Sequence, residues 1–355
     1  MVTLYDVARR AGVSTATVSR VLHGQDLVRE STRARVQKAI EELGYIPDGA
    51  AQSLSRRRKE VIGLICCERP MNPQDVENSS PTYIDDILRG VEPRISELNW
   101  SLLLTFYNGY TTTNVRRILA MSGKVDGILV SEGSFPQRLM ERLATRVPVT
   151  VIAGSPADHE FDVVTADNFA GSAAVVEHLI EEHGVRRIYY VEGPRDAPDA
   201  VQRQLGFQRV LQEHPEVRLT GSTSGWFNVE TGLAAGERIL AEARHDLPDA
   251  VVAANDQMAI GVLLELARAG VRVPDQVAVV GFDDIAAADW YEPQLTTVHQ
   301  PMRTLGERAC ARLLERVAKP GLPPQVETLP TELVLRRSCG CPPGTTTRRP
   351  VGRHS

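Results

Sequence analysis

The chain has 355 residues, 42% of them hydrophobic and 24% charged, the composition of a globular protein long enough for more than one packed core. No run approaches the roughly 18 apolar residues of a membrane span, and Asp6, Arg9 and Arg10 stand where an export signal needs an apolar stretch, so a cytoplasmic protein is expected. The net charge of −5 conceals an asymmetry, because residues 1–60 hold eleven Arg/Lys against seven Asp/Glu (+4) and leave −9 on the remainder. Such a basic module on an acidic body suits a nucleic-acid partner for the first sixty residues only.

Those sixty residues read as three short helices. Thr3 is placed to cap the first with Asp6 at its third position, Leu4, Val7, Ala8 and Ala11 share one face, and Gly12 ends it. Ser14 begins a second helix, Ser14 to Leu22, with Val18, Val21 and Leu22 facing inward. The third runs from Ser31 past Val36 and Ile40 to Leu43, where Gly44 and then Pro47 stop it. This gives a headpiece at 1–47. The stretch that follows, residues 48–59, is too small for a core of its own and is either a solvated linker or a hinge that folds against a partner.

From Val61 the pattern changes. Apolar runs ("VIGLICC", "SLLLTFY", "VDGILVS", "PVTVIAG", "RIYYVEG", "DAVVAAN", "QVAVVGFDD") alternate with helical stretches near Ile84–Leu98, Val115–Met121, Pro136–Ala144, Ala170–Glu182, Ala200–Gln212, Val229–Ala241 and Met258–Ala269. Continuous Val, Ile and Leu strands between helices are the signature of parallel sheets covered on both faces. About ten strands call for two doubly wound sheets, so an α/β body of two subdomains is expected over 60–338. Ligands in such folds bind beyond the carboxyl ends of the strands, which places a site in the cleft between the sheets. The last segment, 339–355, is rich in Pro, Thr and Arg and is expected to be disordered.

Two short helices separated by "AGVS" form a helix-turn-helix, whose second helix enters the DNA major groove by its N-terminus. That entrance offers Arg20 for a guanine edge and the methyls of Thr15 and Ala16 for thymine, while Tyr5, Ser14, Thr17 and Ser19 are placed for phosphates. The whole string "TLYDVARRAGVSTATVSRVLHG", followed by "EELGYIPDGAAQSL", resembles the headpiece and hinge of the LacI/GalR family of transcription regulators. The resemblance implies that Leu54 wedges into the minor groove of a pseudo-palindromic operator read by a homodimer near the nucleoid. An apolar wedge kinks the duplex and makes its deformability part of the specificity.

The resemblance extends through "VVAANDQMAIGVLLELARAGVRVPDQVAVVGFDDI" and "PQLTTVHQPMRTLGERA". It implies a periplasmic-binding-protein-like effector domain in which Arg203, Trp226, Asn255, Asp256, Asp283 and Tyr83 line the cleft. Planar acceptors and donors beside an aromatic face suit a sugar or sugar derivative. Arg203 also suits a carboxylate or phosphate, Asp256 also suits a helix cap, and Trp226 also suits the core. The polar loop over 67–81, before Tyr83, either gates the cleft, touches an extended ligand or is disordered.

The five cysteines have no histidine at zinc-ligand spacing, so free thiols, no metal and no cofactor are expected. A solute-binding receptor is the rival reading of the second domain, and the basic headpiece argues against it. An enzyme is the other rival, but no G-x-G-x-x-G, Walker A or nucleophile-elbow string occurs. The expectation is therefore a repressor released from DNA by its ligand.

Overall fold

The computed structural model describes residues 2–22, 28–45, 58–67, 82–131, 135–155, 160–243, 246–342 and 347–351. They divide into two units, Met1–Glu60 and Val61–Ser355.

In the first unit, α1 (Leu4–Ala11) opens with the expected capping box: the Thr3 hydroxyl accepts from the Asp6 N–H, and the Asp6 carboxylate accepts from the Thr3 N–H at 3.0 Å. Gly12 closes it in the left-handed conformation. Ser14 is the cap rather than the first residue of α2 (Thr15–Leu22), its Oγ accepting from the Thr17 N–H at 3.2 Å. α3 (Glu30–Leu43) starts without a side-chain cap and ends at Gly44. Val7, Val18 and Val36, one from each helix, are fully buried together. Burying a valine stabilises by about 1.5–3 kcal/mol, so this small core depends on all three helices. The hinge and Leu54 lie outside the described residues.

The second unit carries two parallel sheets. Strands β1 (Val61–Cys67), β2 (Ser101–Tyr107), β3 (Gly127–Ser131), β4 (Val149–Ile152) and β5 (Asp162–Ala166) alternate with helices α4 (Thr82–Glu97), α5 (Thr112–Met121) and α6 (Gln137–Ala144). Helix α7 (Asn168–His183) then leads into β6 (Arg187–Glu192), α8 (Pro198–Glu213), β7 (Arg218–Ser224), α9 (Val229–Ala243), β8 (Ala250–Ala253), α10 (Asp256–Arg268) and β9 (Ala278–Val280). The chain ends with β10 (Thr297–His299), α11 (Met302–Ala318), β11 (Val326–Leu329), β12 (Glu332–Leu335) and β13 (Thr347–Pro350).

The first sheet has the order β11-β5-β4-β3-β1-β2 and the second β7-β6-β8-β9. Both are parallel throughout. Separate apolar clusters flank the first sheet, one containing Ile62, Leu64 and Leu129 and the other Ile65, Ile128 and Val130. Alternate residues of each strand thus meet different helix layers, which is why the strands read as unbroken apolar runs.

The chain passes between the sheets around Asp167, at Gln300–Pro301 and at Pro330–Thr331. Helix α11 consequently belongs to the first sheet, where Leu305, Ala309 and Leu313 are buried with Ile87 and Val91 of α4. In the second sheet α7 and α8 approach so closely that a Cβ on Gly206 would stand 2.2 Å from the Phe169 carbonyl oxygen.

The described parts of the tail, residues 339–342 and 347–351, depart from the expected disorder. Cys339 is 2% exposed, and Thr347–Pro350 pairs antiparallel with β12 in a small third sheet, β10-β12-β13. Its anchor is ionic, Arg348 lying 3.0 Å from Asp284 and 3.8 Å from Glu332. A polar strand held by charges has no apolar period to announce it. Of the 67–81 loop, only Cys67 is described.

Candidate functional site

In α2 the two faces separate cleanly. Val18 and Val21 are buried, whereas Ser14, Ala16 and Arg20 are exposed and Thr15, Thr17 and Ser19 are partly so. Tyr5 on α1 is 76% exposed. The expected DNA-facing residues other than Leu54 therefore lie outside the core. Ser14 Oγ and Thr17 Oγ1 are 2.9 Å apart at the helix start, where free backbone N–H groups favour an anion. The neighbouring Arg9 and Arg10 are engaged by Asp6 and Glu42.

The second site forms where β6 and β8 lie side by side and the connections after them diverge to opposite sides, the position at which a doubly wound sheet opens a crevice. Arg203, on the inner face of α8, is 3% exposed and hydrogen-bonded in three directions. Its Nε donates to Asn168 Oδ1 at 2.8 Å, Nη1 to the Ala254 carbonyl at 2.7 Å, and Nη2 to Gln300 Oε1 at 2.9 Å. Nη2 also lies 3.1 Å from Asp283 Oδ1, and the guanidinium carbon stands 3.8 Å from the Phe282 ring centroid. One side chain thereby ties α7, α8, the end of β8 and a crossover together.

Asp283 has φ +123° and Asp284 φ +58°, both outside the ordinary range for residues with a Cβ. Two adjacent aspartates in this state turn the chain sharply after β9, sending one carboxylate to Arg203 and the other away to Arg336. Such strain persists only where neighbours hold it. Burial raises the Asp283 carboxyl above its usual range, against the opposing pull of Arg203.

Asn255 caps α10, its Oδ1 accepting from the Met258 N–H at 3.0 Å while its Nδ2 donates to the Phe227 carbonyl at 3.2 Å. The capping role considered for Asp256 thus belongs to its neighbour. Asp256 is fully buried, accepting from Thr297 Oγ1 at 2.5 Å and from the Ile285 N–H at 3.0 Å. Burial first, and then the nearby Asp283, raise its carboxyl. With both oxygens bonded and no exposed surface, Asp256 supports the crevice floor rather than lining it.

Trp226 is 51% exposed, which removes it from the core, and its backbone N–H is held by Thr231 Oγ1 at 3.1 Å. The adjacent Phe227, at φ +62°, turns its ring to 5.6 Å from the Arg203 guanidinium. Tyr83 packs half-buried in the first turn of α4 against the core of the six-stranded sheet. The structure therefore gathers Arg203, Asn255 and Asp283 around one point, with Asp256 beneath them, and leaves Tyr83 on the other subdomain.

Sequence reasoning missed Asn168, Gln300 and Phe227. Gln300 is 2% exposed and its Nε2 has no hydrogen-bond partner among the described residues. A buried donor without a partner calls for an explanation, and a ligand in the crevice would supply one. Phe227 directly follows Trp226, the aromatic that the resemblance implies. Asn168 and Gln300 are isolated amides, and nothing in their sequence surroundings marks them.

Residues 3–48 match the model of bacterial regulatory proteins, lacI family, and residues 176–339 that of a periplasmic binding protein-like domain. The HTH-type transcriptional repressor PurR of Pasteurella multocida (strain Pm70) is 33% identical over 346 residues, covering 95% of this chain and 98% of the relative. Two solved structures are similar over 95% of this chain. One is the transcriptional regulator CelR in complex with cellobiose, 32% identical with TM-score 0.69 and all of that chain covered. The other is the lac repressor dimer bound to operator and the anti-inducer ONPF, 28% identical with TM-score 0.83 and 99% covered.

Proposed function

The chain belongs to the lacI family of bacterial regulatory proteins, as a ligand-responsive transcriptional repressor, and on that premise we propose that its effector is a neutral sugar or sugar derivative held around Arg203. The observation that carries this is the engagement of Arg203, four of whose five N–H groups are directed at Asn168, Ala254, Gln300 and Asp283. An anionic ligand gripping the guanidinium at two points would have to displace one of these partners, whereas a neutral polyol can use the outer lone pairs of Asp283 and the spare Nε2 hydrogens of Gln300. Trp226 adds an exposed aromatic face of the kind that stacks on a sugar ring. CelR binding cellobiose supports this reading.

DNA reading is assigned to α2, with Arg20 contacting a guanine and Thr15 and Ala16 contributing weaker methyl contacts. Tyr5, Ser14, Thr17 and Ser19 position the backbone, and Leu54 wedges the minor groove. The operator-bound lac repressor dimer supports a homodimer on a two-fold site. In this reading the protein works at the chromosome in the cytoplasm, and no residue has a catalytic role. Ligand binding across the crevice favours one orientation of the two sheets, and it releases DNA only to the extent that its affinity differs between the two forms.

Thermal-shift and calorimetric titration of the full chain with ribose, cellobiose and other neutral saccharides, beside purine bases and nucleosides, tests the effector. A cognate ligand at a hundred times its Kd stabilises by about 2.7 kcal/mol. Stabilisation by purines alone ends the carbohydrate reading.

A further inference from the structure

Away from the crevice, the fold brings together two histidines of α7 and two cysteines that follow β12. The ligand atoms of His178, His183, Cys339 and Cys341 all lie within 4.8 Å of one another. The two Nε2 atoms are 3.1 Å apart, Cys339 Sγ is 3.7 Å from His178 Nε2, and Cys341 Sγ is 3.5 Å from His178 Nε2 and 3.6 Å from His183 Nε2. The imidazole planes stand at 80° to each other, so the rings converge by their tips rather than stacking.

Hydrogen bonding does not account for this arrangement. A ring nitrogen has one in-plane lone pair or one N–H and makes one good hydrogen bond, yet three heavy atoms crowd His178 Nε2. Four of the six separations, 3.1, 3.7, 3.5 and 3.6 Å, are close to the edges of a tetrahedron around a metal, and all six are within 4.8 Å. Zinc bonds of about 2.3 Å to sulfur and 2.0–2.1 Å to nitrogen, at tetrahedral angles, separate two nitrogens by about 3.3 Å and a nitrogen from a sulfur by about 3.5 Å. We propose that His178, His183, Cys339 and Cys341 bind a zinc ion in a closed Cys2His2 site that pins the C-terminal segment to the end of α7.

Three surrounding features fit a metal. Thr296 Oγ1 accepts from the Arg336 N–H at 2.9 Å, so its own proton is directed to Cys339 Sγ at 3.1 Å, an outer-shell donor to a thiolate. Gly340 lies between the two cysteines at φ +103°, and a Cβ there would come within 3.3 Å of the His183 ring. Only glycine lets the C-x-C segment fold back this tightly. Charge also balances, since binding releases the two thiol protons to solvent and leaves two thiolates, two neutral imidazoles and a dication. Four protein ligands close the coordination sphere, so the role is structural and no position remains for substrate. Soft sulfur with imidazole selects zinc over calcium or magnesium.

The test is metal analysis of the untagged, full-length protein after equilibration with zinc and gel filtration. One equivalent of zinc per chain is expected, lost in the Cys339→Ser/Cys341→Ser double variant. Thr296→Val is expected to keep the site but weaken metal affinity by about 10- to 100-fold. Should the double variant fail to fold, cobalt substitution of the unmodified chain decides. Intense visible bands with thiolate charge transfer support tetrahedral sulfur ligation. A weak octahedral spectrum, no retained zinc, or a Cys339–Cys341 disulfide in the freshly isolated protein overturns the proposal.

Discussion

Arg203 Nη2 stands 3.1 Å from Asp283 Oδ1, an ion pair in which the cation is 3% exposed and the anion 13%. Removing the guanidinium would leave a buried carboxylate together with unpaired oxygens on Asn168, Ala254 and Gln300. Arg203→Ala is therefore expected to destabilise the second unit by about 3–5 kcal/mol and to abolish the ligand response. Arg203→Lys, with one ammonium for several directions, should fall between. Urea unfolding with and without ligand reads both, and a wild-type midpoint in Arg203→Ala would remove this arginine from the fold's essential contacts.

The acid limb of the stability curve should depend on Asp284. Burial opposes its ionisation, but hydrogen bonds from His299 at 3.0 Å and Arg336 at 2.6 Å prevail and hold the carboxyl below the usual carboxylate range. A depressed carboxylate contributes stability that is fully present above the unfolded value and is lost as pH falls through the folded one. The difference between wild type and Asp284→Asn should be constant near neutrality and shrink as pH falls through and below the ordinary carboxylate range. Denaturant midpoints across that range check the sign, and a difference that grows on acidification contradicts it.

Arg20 is exposed at the end of α2. Arg20→Ala should leave headpiece stability unchanged, weaken operator binding by about 1–3 kcal/mol and relax preference at one base pair per half-site. Selection of sites from random DNA by both proteins shows this, and equal tolerance at every position in the wild type would refute the assignment.

Helix packing in the second subdomain has a single-atom sensitivity. Because a Cβ on Gly206 would meet the Phe169 backbone oxygen at 2.2 Å, Gly206→Ala forces α7 and α8 apart. A loss of about 1–3 kcal/mol is expected, despite the better helix propensity of alanine. Because Asn168 at the start of α7 holds Arg203, ligand affinity should fall with stability. Calorimetry of both transitions checks the pairing.

Most of the parallel architecture was legible because its strands are buried on both faces. β1 and β3 stand out as apolar runs, and their helices follow in register. β7, "RLTGSTS", escaped notice because it is a sheet edge with a largely accessible, polar sequence. β13 escaped for a related reason, since Arg348 is recruited by Asp284 some sixty residues earlier, at a sequence separation of 64. Local periodicity carries no trace of either.

The sequence alone determined the helix-turn-helix, because caps, a turn glycine and inward valines are short-range patterns within some twenty residues. It also determined the alternation of strands and helices. Only the tertiary structure decided which polar residues meet. Asn168, Arg203, Asp283 and Gln300 come from four separate segments, and His178 reaches Cys339 and Cys341 across separations of 161 and 163 residues. Zinc-ligand spacing could not be found along the chain, because the spacing exists only where the crossovers return the C-terminal segment to α7.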